Sequence, residues 1–406
     1  MRIALIADTF PPLRTSGAVQ LRDLSREFVR QGHELTVMLP TAGLKTRWLL
    51  EDFEGVQVLR LRAPKTKDIN YVQRTINEFL MPFAMLRNLR QSPLAQERWD
   101  GVVWYAPSIF LGPIANALKK ASGCKGYLII RDIFPEWAAD MGLMGRGLPY
   151  KFFKAVANYQ YSVADVIGVQ TPGNEAYFEN WRQRAGRQLE VLQNWLADAP
   201  GAGCSIDIGK TPLAGCKVFV YAGNMGVAQG MGILLDLAEK LRHRTDVGFL
   251  FVGRGSDSKK LAANAQARGL QNVLFQDEIH PDEVPSLYAQ CHIGLVALDP
   301  RHKSHNIPGK FLTYMQSGLP VLANINAGND LAGIIRHENV GCVSEDGSAD
   351  TLAKLALELI DSLGVDDGYR VRCITLYSRL FAPETAVKQI VAALNAGHLK
   401  TSQTLI

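Results

Sequence analysis

Two successive series of short apolar runs, separated by helical stretches, most constrain how this chain can fold. The first series comprises Ile3–Ala7, Glu34–Leu39, Val56–Leu61, Gly101–Trp104, Gly126–Ile130 and Asp165–Val169. The second comprises Lys217–Ala222, Val247–Val252, Asn272–Phe275, His292–Ala297, Leu319–Ala323 and Val340–Val343. Strands of this length between helices predict parallel sheets of βαβ units, and their near-continuous apolar character predicts burial on both faces. We therefore expect an α/β protein with two doubly wound parallel-sheet domains.

A segment rich in Gly, Pro and Ala, residues 196–212, separates the two series and is typical of a linker. The 406 residues are also too many for one ordinary hydrophobic core. We expect domains at 1–196 and 213–372, with helices in 373–406 crossing back to the first domain. Ligands of such sheets bind at the carboxyl ends of the strands, so the expected site is a cleft between two facing domains.

The overall composition is that of a soluble globular protein, with 47% apolar and 20% charged residues. No run approaches the roughly 18 apolar residues that span a bilayer. The apolar run after Met1-Arg2 is too short for a signal peptide, which predicts a cytoplasmic chain. The six cysteines are scattered without a CxxC pair, so neither structural zinc nor a disulfide framework is expected.

Residues 60–90 form a basic segment with seven Lys or Arg and two acidic residues, net +5. Within it, residues 71–90 have an apolar side that includes Tyr71, Phe79 and Phe83. The same residues contain three arginines, Arg74, Arg87 and Arg90. Pro82 is expected to kink or divide this helix. A basic amphipathic helix can lie on an anionic membrane, but any surface helix is amphipathic, so both interpretations stay open.

The segment from Asn306 to Val321 predicts an anion site. Pro308-Gly309 precedes a short helix, and Gly318 with Pro320 ends it. Free amides at a helix start attract phosphate, and Lys310 adds a cation. The alternative is an ordinary capped helix with a solvated lysine.

Glycines recur where predicted strands end, at Thr15–Gly17, Ala222–Gly226 and Gly253–Gly255. Glycine lets a backbone approach a phosphate or a ring closely. None of these segments is a GxGxxG fingerprint, which argues against a nicotinamide dehydrogenase.

Taken in order, these segments resemble the family 4 glycosyltransferases, whose GT-B fold has two facing Rossmann-like domains. The resemblance rests on DTFPP, FVRQGHELTVM, VLQNW, YAGNMGVAQG, FVGRG, HPDEVPSLYAQCHIGLVAL and IPGKFLTYMQSGLPVLA. RDIFPEW and IPGK are similar to a subgroup from surface-polysaccharide clusters. Within that subgroup the chain most resembles the N-acetyl-L-fucosaminyl transferases of O-antigen assembly.

The donor contacts usual in that family do not transfer to this chain. The family's phosphate-clamping Arg and Lys fall on Asn224 and Gln229, and its paired glutamates fall on His305 and Thr313. The donor phosphates are therefore expected to rely on amides near Gly309, on Lys310 and on Arg254. The resulting donor-binding candidates are Gly17, Gly223, Asn224, Arg254, His305, Pro308, Gly309, Lys310 and Thr313.

The segment Arg131–Glu136 follows a predicted buried strand and supplies the catalytic candidates Arg131, Asp132 and Glu136. A family histidine that contacts the donor sugar falls on Arg131, and its loss is consistent with a 6-deoxy sugar. Asp132 can accept the acceptor's proton or orient the acceptor, and Glu136 is the alternative. An Arg131–Asp132 ion pair that only shapes the loop is equally open.

The resemblance implies transfer of a sugar from a UDP-sugar to a polyprenyl-pyrophosphate-linked saccharide, on the inner face of the cell membrane. An anionic membrane surface is an expected partner, whereas a nucleic acid, a metal and a cofactor are not. The stereochemistry stays open. A nucleotide-sugar 2-epimerase shares the two-domain architecture and is the alternative enzyme. A binding protein for small solutes is the third interpretation, but it needs export.

Overall fold

The computed structural model describes residues 1–13, 15–198, 201–226, 229–299 and 307–396. The chain divides into two compact units. Among the described residues, the first unit comprises Met1–Trp195 and the returning segment from Pro383 onward, and the second comprises Leu196–Ala382.

The first unit is built on a largely parallel sheet. Its strands are β1 (Arg2–Ile6), β2 (Glu34–Thr41), β3 (Trp48–Phe53), β4 (Val56–Arg62), β5 (Gly101–Ala106), β6 (Lys125–Ile130), β7 (Val166–Val169) and β8 (Gln188–Val191). Among the described residues their order is β3-β4-β2-β1-β5-β6-β7-β8. Only β3, an edge strand in this part of the chain, pairs antiparallel with its neighbour.

Helices pack on both faces of this sheet, as parallel strands buried on two sides require. They are α1 (Ser16–Arg30), α2 (Tyr71–Leu89), α3 (Gly112–Ser122), α4 (Glu136–Asp140), α5 (Leu148–Val163) and α6 (Glu179–Arg182). Two buried clusters result, one per face: Trp104 and Leu128 belong to the first, and Val103 and Ile129 to the second. The alternation of neighbouring residues between clusters follows from the two-residue period of a strand.

The second unit repeats this plan with a parallel sheet in the order β11-β10-β9-β12-β13-β14 over its described residues. The strands are β9 (Lys217–Ala222), β10 (Val247–Val252), β11 (Val273–Gln276), β12 (Ile293–Ala297), β13 (Val321–Asn324) and β14 (Gly341–Ser344). The helices are α7 (Gly232–Lys240), α8 (Ser258–Ala267), α9 (Val284–Tyr288), α10 (Gly309–Ser317), α11 (Asp330–His337), α12 (Ala349–Leu363) and α13 (Tyr369–Leu376).

The last described helix, α14 (Pro383–Asn395), packs on the first unit. Its Ile390 and Leu394 are buried with residues of β1 and β5 in one hydrophobic cluster. A Cβ atom on Gly101 would lie 2.6 Å from the Cδ1 atom of Leu394, so the glycine makes room for this helix. Gln389 donates a hydrogen bond to the Val191 carbonyl at 2.8 Å, which ties α14 to the end of β8.

All twelve apolar runs identified in the sequence form strands, within two residues of the expected bounds, and the α/β prediction is confirmed. Two strands were not predicted. In β3, Glu51 and Asp52 interrupt the apolar pattern, and it pairs through a tight turn in which Glu54 and Gly55 have positive φ. The other, β8, has four residues and pairs only with β7 among the described strands.

Two further expectations differ from the structure. Pro82 does not divide its helix, since α2 runs unbroken from Tyr71 to Leu89 with Pro82 buried inside it. The described residues of 196–212 pack as part of the second unit, which extends through Ala382 rather than ending at 372. Tyr377 explains this extension, because its hydroxyl donates a hydrogen bond to the Leu196 carbonyl at 2.7 Å.

Candidate functional site

The second sheet opens at the point where its strand order reverses, between β9 and β12. These two strands pair at only two positions, Ile293 with Phe219 and Gly294 with Val220. The Tyr314 hydroxyl of α10 fills the opening and lies 3.0 Å from the Val220 carbonyl and 3.1 Å from the Leu295 carbonyl. Ligands of doubly wound sheets bind at such a switch point, beyond the carboxyl ends of the strands.

Gly294 makes this arrangement possible. A Cβ atom there would lie 2.6 Å from the Tyr314 ring, closer than real Cβ contacts. The ring of Tyr314 is fully buried, and Tyr288 packs against it with ring centroids 4.8 Å apart. The tyrosine therefore fixes α10, and with it the helix start at Gly309, relative to the ends of β9 and β12.

The glycine loops after β9 and β10 pack directly on each other. A Cβ atom on Gly253 would lie 2.2 Å from the Gly223 carbonyl oxygen, and one on Gly255 would lie 2.3 Å from that of Met225. Both glycines also have φ values in the left-handed range. Gly253 and Gly255 are therefore required for loop packing, rather than for contact with a ligand.

Gly223 differs from these two glycines because the space beside it is open. Its φ is +137°, and the nearest described heavy atom to a Cβ position there is the Lys310 Cε, at 3.9 Å. Tyr221 holds this turn in place by donating a hydrogen bond to the Asn224 carbonyl at 2.7 Å. The open face of Gly223 therefore borders the Lys310 side chain.

No side chain of the described residues caps the start of α10. Pro308 precedes the helix with extended backbone, and no acidic residue lies in the first turn. No described heavy atom lies within 4 Å of a Cβ position on Gly309. At the other end, Gly318 adopts φ 71°, the left-handed conformation that ends helices. The helix start thus presents open amide groups and the positive end of the helix dipole.

Lys310 brings a desolvated positive charge to this helix start. Its ammonium Nζ lies 4.4 Å from the centroid of the Tyr221 ring, a cation–π contact. Burial lowers the pKa of Lys310 to about 8, and no charged group of the described chain contributes to that shift. A buried cation without a counter-ion, beside a positive helix end, is an arrangement that an anion would stabilise.

The other expected donor-binding residues of this unit have internal partners. Asn224 donates to the Gln229 side chain at 3.3 Å, and Gln229 also accepts from the Gly226 amide at 2.9 Å. Arg254 pairs with Glu278 at 3.0 Å between two exposed side chains. Thr313 donates to the Gly309 carbonyl one helical turn earlier, at 3.3 Å. An exposed ion pair such as Arg254–Glu278 is weak, so the arginine can still exchange partners.

Two donor-binding candidates lie elsewhere. His305 falls outside the described residues. Gly17 belongs to the first unit, near the start of α1, where a Cβ atom would lie 3.2 Å from Thr9 and 3.4 Å from Tyr105. Gly17 thus lets α1 pack closely on the ends of β1 and β5, and its donor contact stays a prediction.

Arg131 lies in the first unit, where it is buried after β6. It donates to the carbonyls of Leu192 at 2.9 Å and Gln193 at 3.3 Å, and its guanidinium lies 4.5 Å from the Trp195 ring centroid. Burial lowers the pKa of Arg131 to about 10. Through these bonds Arg131 joins the end of β6 to the segment after β8, so it has a structural role. Its catalytic role stays a prediction.

The two candidate acids near Arg131 differ in environment. Glu136 is buried at the start of α4 and accepts a hydrogen bond from Lys154 of α5 through Oε1, while its Oε2 is buried without a partner. Asp132 is only partly buried, and its charge acts on Arg131 and on the Tyr105 hydroxyl. Asp132 is therefore the acid that a substrate can reach more readily.

Asp8 is a further candidate acid, which the sequence motifs alone do not indicate. It follows β1, and burial raises the pKa of its carboxyl while the charges of Lys67 and Arg74 oppose that rise. Glu78 of α2 has a raised pKa for the same reason, and Arg74 donates to it at 2.8 Å. The position of Asp8 in the sequence, directly after the first predicted buried strand, could have indicated it.

The helix expected to contact a membrane is largely unburied in its first half. Phe79 and Phe83 are each close to half exposed, and Arg87 and Arg90 are exposed. Arg74 differs, since it forms an ion pair with Glu78. In the described part of the chain, no helix is long and apolar enough to cross a membrane, and no group of three or more His, Cys, Asp or Glu side chains is placed to hold a metal ion.

Comparison with known proteins finds a family model and relatives that match the part of the chain containing this site. Residues 216–362 match the model described as "Glycosyl transferases group 1". The chain is 28% identical over 226 residues to the "Putative colanic acid biosynthesis glycosyl transferase WcaI" of Escherichia coli K12, covering 49% of this chain and 52% of that protein. It is 24% identical over 255 residues to the "Probable glycosyltransferase WbjE" of Pseudomonas aeruginosa, covering 60% and 62%. These matches span only half to three fifths of each relative.

Solved structures agree with the observed fold over almost the whole chain. Sucrose-phosphate synthase of Thermosynechococcus elongatus superposes with a TM-score of 0.70 at 15% identity, covering 99% of this chain and all of that one. Anabaena Alr3699/HepE in complex with UDP gives 0.68 at 17% identity, covering 98% and 100%. Structural similarity at 15–17% sequence identity shows only that the chain shares the GT-B fold of these proteins. The part of the chain that matches the group 1 glycosyltransferase model, residues 216–362, includes the β9 and β10 loops and all of α10.

Proposed function

We propose that this protein transfers a sugar from a UDP-sugar to a lipid-linked saccharide in bacterial surface-polysaccharide assembly. The observation that carries the proposal is Lys310, a buried cation without a described counter-ion at the uncapped start of α10. The donor's pyrophosphate is the proposed anion. The open face of Gly223 leaves room beside the ammonium group.

The chemistry needs a site that stabilises a leaving group. Transfer breaks the bond between the sugar C1 and an oxygen of the β-phosphate, whose electron pair departs with UDP. The acceptor hydroxyl oxygen forms the new bond to C1, and its proton passes to a base. Fixed donors aimed at the β-phosphate oxygens lower the barrier because charge develops there. We assign this role to Lys310 and the amides at the start of α10.

The first unit supplies the proposed base. Asp132 is the candidate because its side chain is only partly buried, whereas Glu136 is buried at the start of α4. A carboxylate beside the acceptor hydroxyl takes its proton as the new bond forms.

The names of similar proteins support the choice of substrates. HepE was solved with UDP, and the name of WcaI places that relative in colanic acid biosynthesis. The resemblance to N-acetyl-L-fucosaminyl transferases makes UDP-N-acetyl-L-fucosamine the first donor to test. The proposed acceptor carries polyprenyl pyrophosphate at the cytoplasmic face of the inner membrane.

Incubation with a panel of UDP-sugars, with and without a bacterial membrane lipid extract, tests the reaction class. We expect UDP release only when both the donor and the lipid are present. Isomerised donor without lipid would identify an epimerase instead. Nucleotide-sugar binding without turnover under either condition would identify a binding protein.

Replacement of Lys310 tests the donor site. Lys310→Ala should weaken UDP binding by about 1–3 kcal/mol, the scale of a lost charge-assisted hydrogen bond. Because its pKa in the free protein is about 8, Lys310 is charged below that pH and loses its proton above it. UDP affinity should therefore fall as pH rises through 8, and Lys310→Arg should make this dependence shallower.

Calorimetry at several pH values measures these affinities. Lys354→Ala is the control, since Lys354 lies on α12 of the same unit and is exposed. UDP affinity that is unchanged in Lys310→Ala would contradict the donor site.

Replacement of Asp132 separates catalysis from donor binding. Asp132→Asn should lower turnover roughly 10²-fold or more, because the amide cannot accept the proton. UDP affinity should stay at the wild-type value, and Asp140→Asn, in the same unit, should retain turnover. Full activity of Asp132→Asn would return the role to Glu136 or to Asp8, whereas lost UDP binding would place Asp132 at the donor.

Membrane attachment through α2 is the remaining part of the proposal. Basic residues near an anionic surface contribute about 1 kcal/mol each, and salt screens the attraction. The protein should float with anionic vesicles, float poorly with neutral ones, and dissociate as salt rises. Replacing Arg87 and Arg90 with Glu should abolish flotation and preserve UDP affinity. Arg74 is left unchanged because it pairs with Glu78.

The matched control replaces Arg242 and Lys354 with Glu, since both residues belong to the second unit and are exposed. Vesicle flotation by the Arg87 and Arg90 variant equal to that of the control would show that α2 is ordinary protein surface.

A further inference from the structure

Two helices of the first unit carry matching stripes of exposed apolar residues. On α2 the stripe has the spacing i, i+4, i+7, i+11 and consists of Val72, Ile76, Phe79 and Phe83. On α5 the same spacing is occupied by Leu148, Phe152, Ala155 and Tyr159. This spacing places each set on one face of its helix. Leu148 is 81% exposed and Val72 is 73% exposed, which is unusual for such side chains.

The two stripes meet at their aromatic residues. The ring centroids of Phe79 and Phe152 are 6.4 Å apart, and those of Phe79 and Phe83 are 6.0 Å apart. The surface formed by the two stripes is called here the α2–α5 face. A contiguous apolar face on a protein surface marks a binding site more often than scattered apolar residues do.

A cleft of about 390 Å³ opens in the α2–α5 face. Phe79, Phe83 and Phe152 form part of its walls, and Ile109 and Phe110, which are buried, contribute further apolar lining. Its volume is in the range of ligand pockets, which run from about 300 to 1,000 Å³. Unlike most such pockets it is lined by apolar residues, with the Tyr159 hydroxyl as the polar exception, so its lining suits a hydrocarbon.

The charges around the face favour an anionic partner. Residues 143–163 contain Arg146, Lys151 and Lys154 and no acidic residue. Lys154 is paired with Glu136, while Lys151 is exposed directly before Phe152. Residues 60–90 add a net charge of +5. Both helices thus combine apolar stripes with excess positive charge, as helices at anionic lipid surfaces do.

We propose that the cleft between α2 and α5 binds one hydrocarbon chain of an anionic membrane lipid. The lipid's phosphate lies among the basic residues of the two helices. This assignment goes beyond the proposed sugar transfer and does not depend on it. It also assigns α5 to the membrane-contact surface, whereas the charge of residues 60–90 alone points only to α2.

Binding of dodecyl phosphate below its critical micelle concentration tests the proposal in the full-length protein. The probe has one hydrocarbon chain and one phosphate, and calorimetry follows its binding without any sugar donor. We expect one molecule bound per protein, with no binding of inorganic phosphate alone. Failure of glycosyl transfer would leave this result unaffected.

Two variants locate the bound chain. Ala155→Trp places a ring in the cleft and should weaken dodecyl phosphate binding at least tenfold. Asn158→Trp is the matched control, because Asn158 is exposed on the same helix but does not line the cleft. Phe152→Asp, which puts a carboxylate in the cleft wall, should weaken binding equally. A far-UV circular dichroism spectrum and a thermal unfolding transition like those of the wild type would confirm that each variant is folded.

Three results would overturn the proposal. The first is no saturable binding of dodecyl phosphate to the wild-type protein. The second is unchanged affinity in both Ala155→Trp and Phe152→Asp. The third is a dimer, detected by sedimentation, that dissociates in Ala155→Trp, because a second copy of the chain would then be the occupant.

Discussion

The contact of Tyr314 with the opened strands β9 and β12 is the constraint on which the candidate site depends. Its hydroxyl donates to the Val220 and Leu295 carbonyls, where β9 and β12 diverge after only two paired positions. Buried carbonyls need partners, so the tyrosine is held at the switch point. Because Tyr314 lies on α10 five residues after Gly309, holding the ring also holds the helix start and Lys310.

That placement brings two positive groups together without a described negative group beside them. The helix start and the Lys310 ammonium are both positive, and the ammonium contacts an aromatic ring rather than a carboxylate. Cation–π attraction offsets only part of the desolvation of an ammonium group, which is why its pKa is lowered. A bound pyrophosphate would place negative charge beside both the Lys310 ammonium and the positive end of α10. Donor binding would therefore supply the counter-ion that Lys310 lacks among the described residues.

Much of the fold was predictable from the sequence, because parallel strands buried on both faces appear as continuous apolar runs. The edge strand Trp48–Phe53 could not be found in this way, because Glu51 and Asp52 interrupt its apolar pattern. It forms by pairing with β4, which the local sequence does not indicate. The helix start at Gly309 was predictable from local helix signals, and its use as an anion site stays a prediction. The bonds of Arg131 to Leu192 and Gln193 join segments about sixty residues apart, and nothing local indicates them.

The glycines illustrate the same limit. Gly223, Gly253 and Gly255 look equivalent in the sequence, yet Gly253 and Gly255 are needed for one loop to pack on another, and Gly223 borders open space. Their different roles follow from contacts between β9 and β10 and not from the motif itself. Similarly, Asp132 and Glu136 are equivalent alternatives in the sequence, and only the fold shows that Glu136 is buried while Asp132 is partly exposed.

Hydrogen–deuterium exchange of the intact protein, with and without UDP, tests the central claim most directly. If the pyrophosphate binds at the switch point of the second unit, UDP should slow exchange in peptides covering Gly223–Gly226 and the start of α10. The amides there would then donate to phosphate oxygens instead of water. Saturating UDP that leaves those peptides unprotected, or that protects only peptides of the first unit, would contradict the account.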